Sequence, residues 1–254
     1  MELDVSGARI FYTFPFDIPI LGKITINETL VVSWIVMAII TIACIILTRN
    51  LKVENISKRQ ALAEMIVEMA NNFVVGNMGE KFRYFIPFVS ALFATSLISN
   101  LISLIGLRSP TSDLSVEAAW AVVVFILITR QKIKTNGFGG YLKDFTTPIF
   151  VMTPFNILSE LATPVSMACR HFGNILSGIV INGLIYGALA VASSALFGLI
   201  PGAVGDFLAK IPFLSVGVPA VLSVYFDWFT GFMQAFIFCM LTVMYIANAA
   251  ETEE

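Results

Sequence analysis

Apolar residues come in long continuous runs along the chain, separated by short polar stretches. This is neither the alternation of a half-buried strand nor the narrow stripe of a soluble helix. The first run extends from about Glu28 to Leu47 and is stopped by Arg49. A second covers about 84–107 and ends at Arg108-Ser109-Pro110, a turn and helix stop. A third, shorter one covers about 114–129, with Glu117 in its first turn, where a helix N-terminus favours an anion. The chain is apolar again over about 148–199 and about 211–247. Crossing a bilayer takes about 20 residues. The pattern predicts an all-α integral membrane protein with about five transmembrane helices, forming one membrane domain over 28–249.

The stretches between the runs are polar. Within 50–83, Ala61, Met65, Ile66, Met69 and Phe73 recur near helical spacing with Glu64 and Glu68 opposite, which predicts a surface helix over about 58–77. A loop is predicted over 130–144, carrying Arg130, Lys132, Lys134 and Lys143 and turning at Gly137-Phe138-Gly139-Gly140. Pro201, Gly202 and Gly205 mark another over 200–210. Residues 1–27 hold Glu2, Asp4, Asp17, Pro15 and Pro19 instead of the basic and apolar regions of a signal peptide. They are expected to form a non-cytoplasmic segment with an aromatic edge of Phe11, Tyr12, Phe14 and Phe16, and residues 250–254 an acidic cytoplasmic tail.

Orientation follows from Lys and Arg. The stretches 49–83 and 130–143 carry six and four of them, against four (Arg9, Lys23, Arg108 and Lys210) on the other side. This places both stretches and the C-terminus in the cytoplasm and the N-terminus outside. The last two runs exceed a simple crossing: about 50 and about 35 helical residues span roughly 75 and 52 Å, against a hydrocarbon core of about 30 Å. They are expected to form a long, steeply tilted hairpin, with Pro154 and Pro164 available to kink its first arm.

Composition agrees with the pattern, since 57% of residues are hydrophobic and 13% charged, where a soluble domain carries about 25% charged residues. The net charge of −2 gives no basic field for nucleic acid. Cys44, Cys169 and Cys239 lie apart in apolar runs, without metal or redox spacing. No phosphate loop, HExxH or GxSxG is present, so no catalytic residue, metal or cofactor is assigned.

The charge that stands out is Arg170, within the 148–199 run. A charge at mid-bilayer costs about 2.5–3.5 kcal/mol on insertion scales, and arginine cannot escape it by losing its proton. It therefore needs an anion or water. Asn156, Glu160, Thr163, Ser166 or Met167, Arg170, Asn174 and Ser177 recur every three or four residues and draw one polar stripe. The last run carries a second, with Asp227, Gly231, Gln234, Thr242, Tyr245 and Asn248. Two such stripes in lipid indicate an aqueous path or a covering partner, beyond a polar seam between helices. His171 is a candidate proton relay or a packed side chain, and Gly183 with Gly187 a packing groove.

Arg170-His171-Phe172-Gly173-Asn174, preceded by Pro164 and followed by Ser177-Gly178, resembles the arginine helix of subunit a of the F-type ATP synthase. Gln234-Ala235-Phe236-Ile237-Phe238, with Leu241, Thr242 and Tyr245, resembles that family's last helix, and the likeness covers roughly 25–249. The resemblance implies a bacterial plasma-membrane subunit of the Fo sector, partnered by a c-subunit ring, a subunit b peripheral stalk and, through the complex, the F1 sector; docking of that stalk on the 58–77 helix is a separate expectation. It implies two half-channels passing protons to and from ring carboxylates, coupling proton flow to rotation and ATP synthesis. In this role Arg170 faces the ring carboxylate, Asn174 and Gln234 line the path, and Asp227 and Glu160 supply acids. His171, Ser177 and Tyr245 are candidate relays. Ile179 and Asp227 depart from the family, many of whose members carry an acid at the first and His or Glu at the second. Sodium as the coupling ion, and a secondary transporter for an anionic substrate, stay open at this stage.

Overall fold

A computed structural model describes residues 8–18, 22–54, 56–147, 149–199 and 224–250. Its helices are α1 (Glu28–Thr48), α2 (Lys58–Met78), α3 (Ile86–Leu101), α4 (Leu114–Asp144), α5 (Thr153–Gly198) and α6 (Gly231–Asn248). Among the described residues five helices are long and apolar enough to cross a membrane, all of these except α2. The protein is an all-α membrane protein. Its outward side chains are those of a lipid-facing surface: Trp34, Ile35, Met37, Ile39, Ile42 and Ile45 on α1 are all exposed.

Two features differ from the sequence expectation. The N-terminal segment holds an antiparallel hairpin, β1 (Ile10–Ile18) with β2 (Gly22–Asn27), pairing Ile10 with Asn27 and Thr13 with Thr25. Its β-branched and aromatic residues favour strands, a signal too short to stand out beside the apolar runs. The loop expected over 130–144 is instead helix, and α4 continues to Asp144. Only Gly137 leaves helical geometry there, at φ 72° and ψ 166°, so the Gly-Phe-Gly-Gly turn reduces to a one-residue kink. The third span is correspondingly longer than 114–129. Within the 148–199 run, α5 is one helix through Pro164, as expected for its first arm, with 46 residues and a length of roughly 69 Å. Residues 1–7, the loop over 200–210, the start of the 211–247 run and the acidic residues 251–254 lie outside the described residues.

The core joins all the spans but α1. Val74 and Met78 of α2, Val89 and Leu92 of α3, Val124 and Ile128 of α4, Met167 and Ala168 of α5, and Phe238, Val243 and Ile246 of α6 pack together. α1 attaches through Val32 and Val36 against Ile102. Asp113 ties the starts of α1 and α4 to one end of the bundle. It caps α4 by accepting from the Ser115 N–H at 3.0 Å, and its second oxygen accepts from Asn27 at 3.1 Å and Thr29 at 2.9 Å.

The C-terminus of α2 turns at Gly79, with φ 89° and ψ 166°, backbone that is essentially restricted to glycine. Nothing lies within 4 Å of a Cβ added there, so the cost of Gly79→Ala is conformational. The expected loss is about 1–3 kcal/mol. Gly76, inside α2 and equally unobstructed, is expected to gain about 0.5–1 kcal/mol as alanine. Thermal unfolding of the two purified variants should therefore shift in opposite directions.

Candidate functional site

α5 presents two faces of different chemistry. Met167, Ala168 and His171 are buried against the bundle, whereas Arg170, Asn174 and Ser177 are exposed. Arg170 and His171 are neighbours in sequence but point about 100° apart around the helix, which is why one carries its charge outward and the other is sealed in. Among the described residues Arg170 forms no ion pair. Asn174 and Ser177 continue its exposed row at helical spacing.

The other end of the predicted stripe is covered by α4. Lys132 Nζ donates to Glu160 Oε2 at 2.5 Å, with the glutamate side chain 15% exposed. Asn156 donates to the Phe145 and Thr147 carbonyls at 2.9 and 3.0 Å, tying the start of α5 to the end of α4. Around this ion pair lie a recess of about 330 Å³, lined in part by Lys132, Tyr141, Asp144, Asn156 and Glu160, and one of about 180 Å³ that adds Tyr245 and Asn248 of α6. Lys132, Glu160 and Thr163 line both. The stripe thus divides into an open row around Arg170 and a polar recess around Glu160.

A second polar group lies inside the bundle. His171 Nδ1 is 3.2 Å from Glu117 Oε2, the two side chains being 1% and 0% exposed. The contact lies off the hydrogen-bonding direction, and both Glu117 oxygens are without a donor among the described residues. Asn100 of α3 donates to the Gly231 carbonyl of α6 at 2.8 Å and approaches His171 Nε2 at 3.4 Å, while its Oδ1 accepts from Thr111 at 2.6 Å. Ser109 lies 2.6 Å from Thr111 and donates to the Ser99 carbonyl at 2.6 Å. Trp120 and Phe238 close the apolar side around His171.

Comparison with known proteins fixes what this arrangement belongs to. Residues 30–247 match the ATP synthase A chain family. The chain belongs to the ATP synthase subunit a family. It is similar to ATP synthase subunit a 1 of Prosthecochloris aestuarii, with 33% identity over 237 residues covering 92% of this chain and 94% of that protein. It is also similar to ATP synthase subunit a of Moorella thermoacetica, with 34% identity over 235 residues and coverage of 92% and 95%. To ATP synthase subunit a 1 of Crocosphaera subtropica it is 32% identical over 233 residues, covering 91% and 90%. The chain is therefore a multi-pass membrane component of an ATP synthase.

Within the family frame six of the eight predicted residues fall into three places. Arg170, Asn174 and Ser177 share the exposed face of α5, Glu160 and Tyr245 line the recess, and His171 is in the buried group. Gln234 is buried on α6 with no hydrogen bond to Arg170 among the described residues. Asp227 lies in a π-helical turn, Val224–Thr230, before α6, and its side chain is outside the described residues. Glu117, Asn100 and Thr111 were not singled out as site residues in the sequence. Glu117 stands four residues after the capping Asp113, where an acid reads as a helix-dipole partner facing water. The one available signal was an acid opening an apolar span.

Proposed function

We propose that this chain provides the two half-channels of the Fo sector, passing protons to and from carboxylates on a neighbouring ring of c subunits. The chain itself is non-catalytic. The observation that carries the reading is Arg170, an obligate cation on the uncovered face of a membrane-length helix with no carboxylate of its own among the described residues. A charge so placed requires a counter-charge supplied from outside the chain. A carboxylate passing on a ring subunit meets that need at each step. α5 is more than twice as long as a perpendicular crossing requires, which suits a steeply tilted helix following a curved partner.

In this reading the recess around Lys132, Glu160, Tyr245 and Asn248 is the cytoplasmic half-channel, because Lys and Arg concentrate at that end. Asn174, Gln234 and Asp227 line the route near Arg170. The N-terminus is outside and the C-terminus in the cytoplasm of a bacterial cell. Subunit b docks on α2, whose first half carries the exposed Leu62, Met65, Ile66, Val67 and Met69.

The test is reconstitution of the complete complex in liposomes. A proton gradient in sodium-free buffer should drive ATP synthesis. Synthesis only when sodium is supplied would assign sodium as the coupling ion. Purification of the chain alone, without c ring or F1 subunits, would point to a transporter instead.

A further inference from the structure

We propose that Glu117 and His171 form the proton-binding station of the other half-channel, the one opening at the N-terminal end of α4; this rests on the Fo reading above. Glu117 brings a carboxylate from α4 to the helix that carries Arg170, against the residue next to that arginine.

The hydrogen-bond pattern decides which atom takes the proton. Asn100 Oδ1 accepts from Thr111, and its Nδ2 faces the Gly231 carbonyl, which can only accept. The amide orientation is thereby fixed, and the same NH₂ group points at His171 Nε2. That nitrogen is therefore an acceptor, and the neutral ring carries its hydrogen on Nδ1, which lies 3.2 Å from Glu117 Oε2 but off the hydrogen-bonding direction. Adding a proton at Nε2 would set two donors against each other. Adding it to Glu117 meets no such conflict, because Oε1 and Oε2 receive no hydrogen bond among the described residues. Glu117 is thus the group that gains and loses the proton, with His171 Nδ1 beside it at 3.2 Å.

The approach is also built. Ser109, Thr111 and Asn100 form a polar row from the α3–α4 connection inward to His171, with Ser109 2.6 Å from Thr111 and Thr111 donating to Asn100. That connection lies beside the capping Asp113, at the end where α1 and α4 begin. A proton entering there is taken by the Glu117 carboxylate and released toward the ring carboxylate at Arg170, with no bond made or broken other than O–H. The charged groups near this entry are Arg108 and Asp113; among the described residues the polar groups that α3 and α6 bring to the pair are Asn100 and the Gly231 carbonyl, beside the Phe238 ring.

The experiment uses the complete complex carrying Glu117→Gln, Glu117→Asp, His171→Gln or Arg170→Ala. Assembly is scored by the c ring and F1 subunits that copurify. Passive proton conduction is then measured in proteoliposomes after F1 removal. E117Q, which keeps size and polarity, should assemble and slow conduction at least about tenfold, with E117D recovering part of it. Native conduction in E117Q and H171Q, with Arg170→Ala still abolishing coupled synthesis, would overturn this proposal and leave the Fo reading intact. Coupled synthesis surviving Arg170→Ala would instead overturn the Fo reading beneath it. Failure of both E117Q and H171Q to assemble would also overturn the proposal, since the pair would then be structural.

Discussion

Replacing Arg170 by alanine is expected to abolish proton-driven ATP synthesis while the complex still assembles. Arg170 is exposed on α5 and forms no ion pair among the described residues, so its loss opens no cavity and strands no buried partner within the chain. Under the proposed function its effect falls on the ring carboxylate. At about 4 Å and an effective dielectric of about 20 the attraction is about 4 kcal/mol, which is roughly a thousandfold in the equilibrium between ionised and protonated carboxyl. Without it, carboxyls keep their protons as they pass, and nothing separates the two aqueous paths. Synthesis should fall below detection, and a proton leak through the assembled complex should persist or rise. Arg170→Lys keeps the charge but loses the planar fork and can shed its proton in a dry site. Its synthesis should be strongly reduced as well. Synthesis at the native rate in either variant, measured in liposomes under an imposed gradient, would make the arginine a lipid-interface anchor.

The membrane class was legible, and Arg170 stood out, because each rests on a local and costly property. An apolar run of 20 residues has few alternatives to crossing a bilayer, and an arginine within one has no inexpensive environment. The surface helix α2 was legible for a similar reason: its periodic apolar face lies between Ser57, which caps it by accepting from Gln60, and the glycine at 79. The continuation of α4 to Asp144 was not, because a glycine-rich stretch with four basic residues scores as loop whether one residue or five leave the helix. Whether a polar residue faces inward or outward was legible only in part. Arg170 and His171 differ by one position, and the 3.6 period separates them without saying which faces the bundle. The pairing of Glu117 with His171 spans 54 positions and depends on how α4 and α5 meet, for which one chain carries no short-range signal. Glu160 shows the same limit, since its stripe position was evident and its partner Lys132 was not.

The largest effect on stability should come from Asn100. It links four segments at once: its own α3, the α3–α4 connection through Thr111, α5 through His171 and α6 through Gly231. The absence of a side chain at Gly231 is what allows this, because a Cβ there would lie 2.9 Å from Asn100 Cβ. Asn100→Leu would leave the Thr111 hydroxyl, the Gly231 carbonyl and His171 Nε2 without this partner, in a region where Asn100 is 2% and Thr111 0% exposed. Interhelical hydrogen bonds in membrane proteins average only about 0.6 kcal/mol, because the unfolded chain in the bilayer finds other partners. A buried group stranded in the folded state costs about 1–3 kcal/mol. The second figure governs here, since the partners are enclosed and leucine's extra bulk presses on Gly231. The expected loss is about 3–5 kcal/mol, seen as reduced recovery of assembled complex and earlier thermal dissociation. Thr111→Val removes one of these bonds and leaves a single acceptor, Asn100 Oδ1, unmatched, so it should cost about 1–2 kcal/mol. An N100L complex as stable as T111V would show that the contacts act one by one and that Asn100 is not the joint holding α5 against α6.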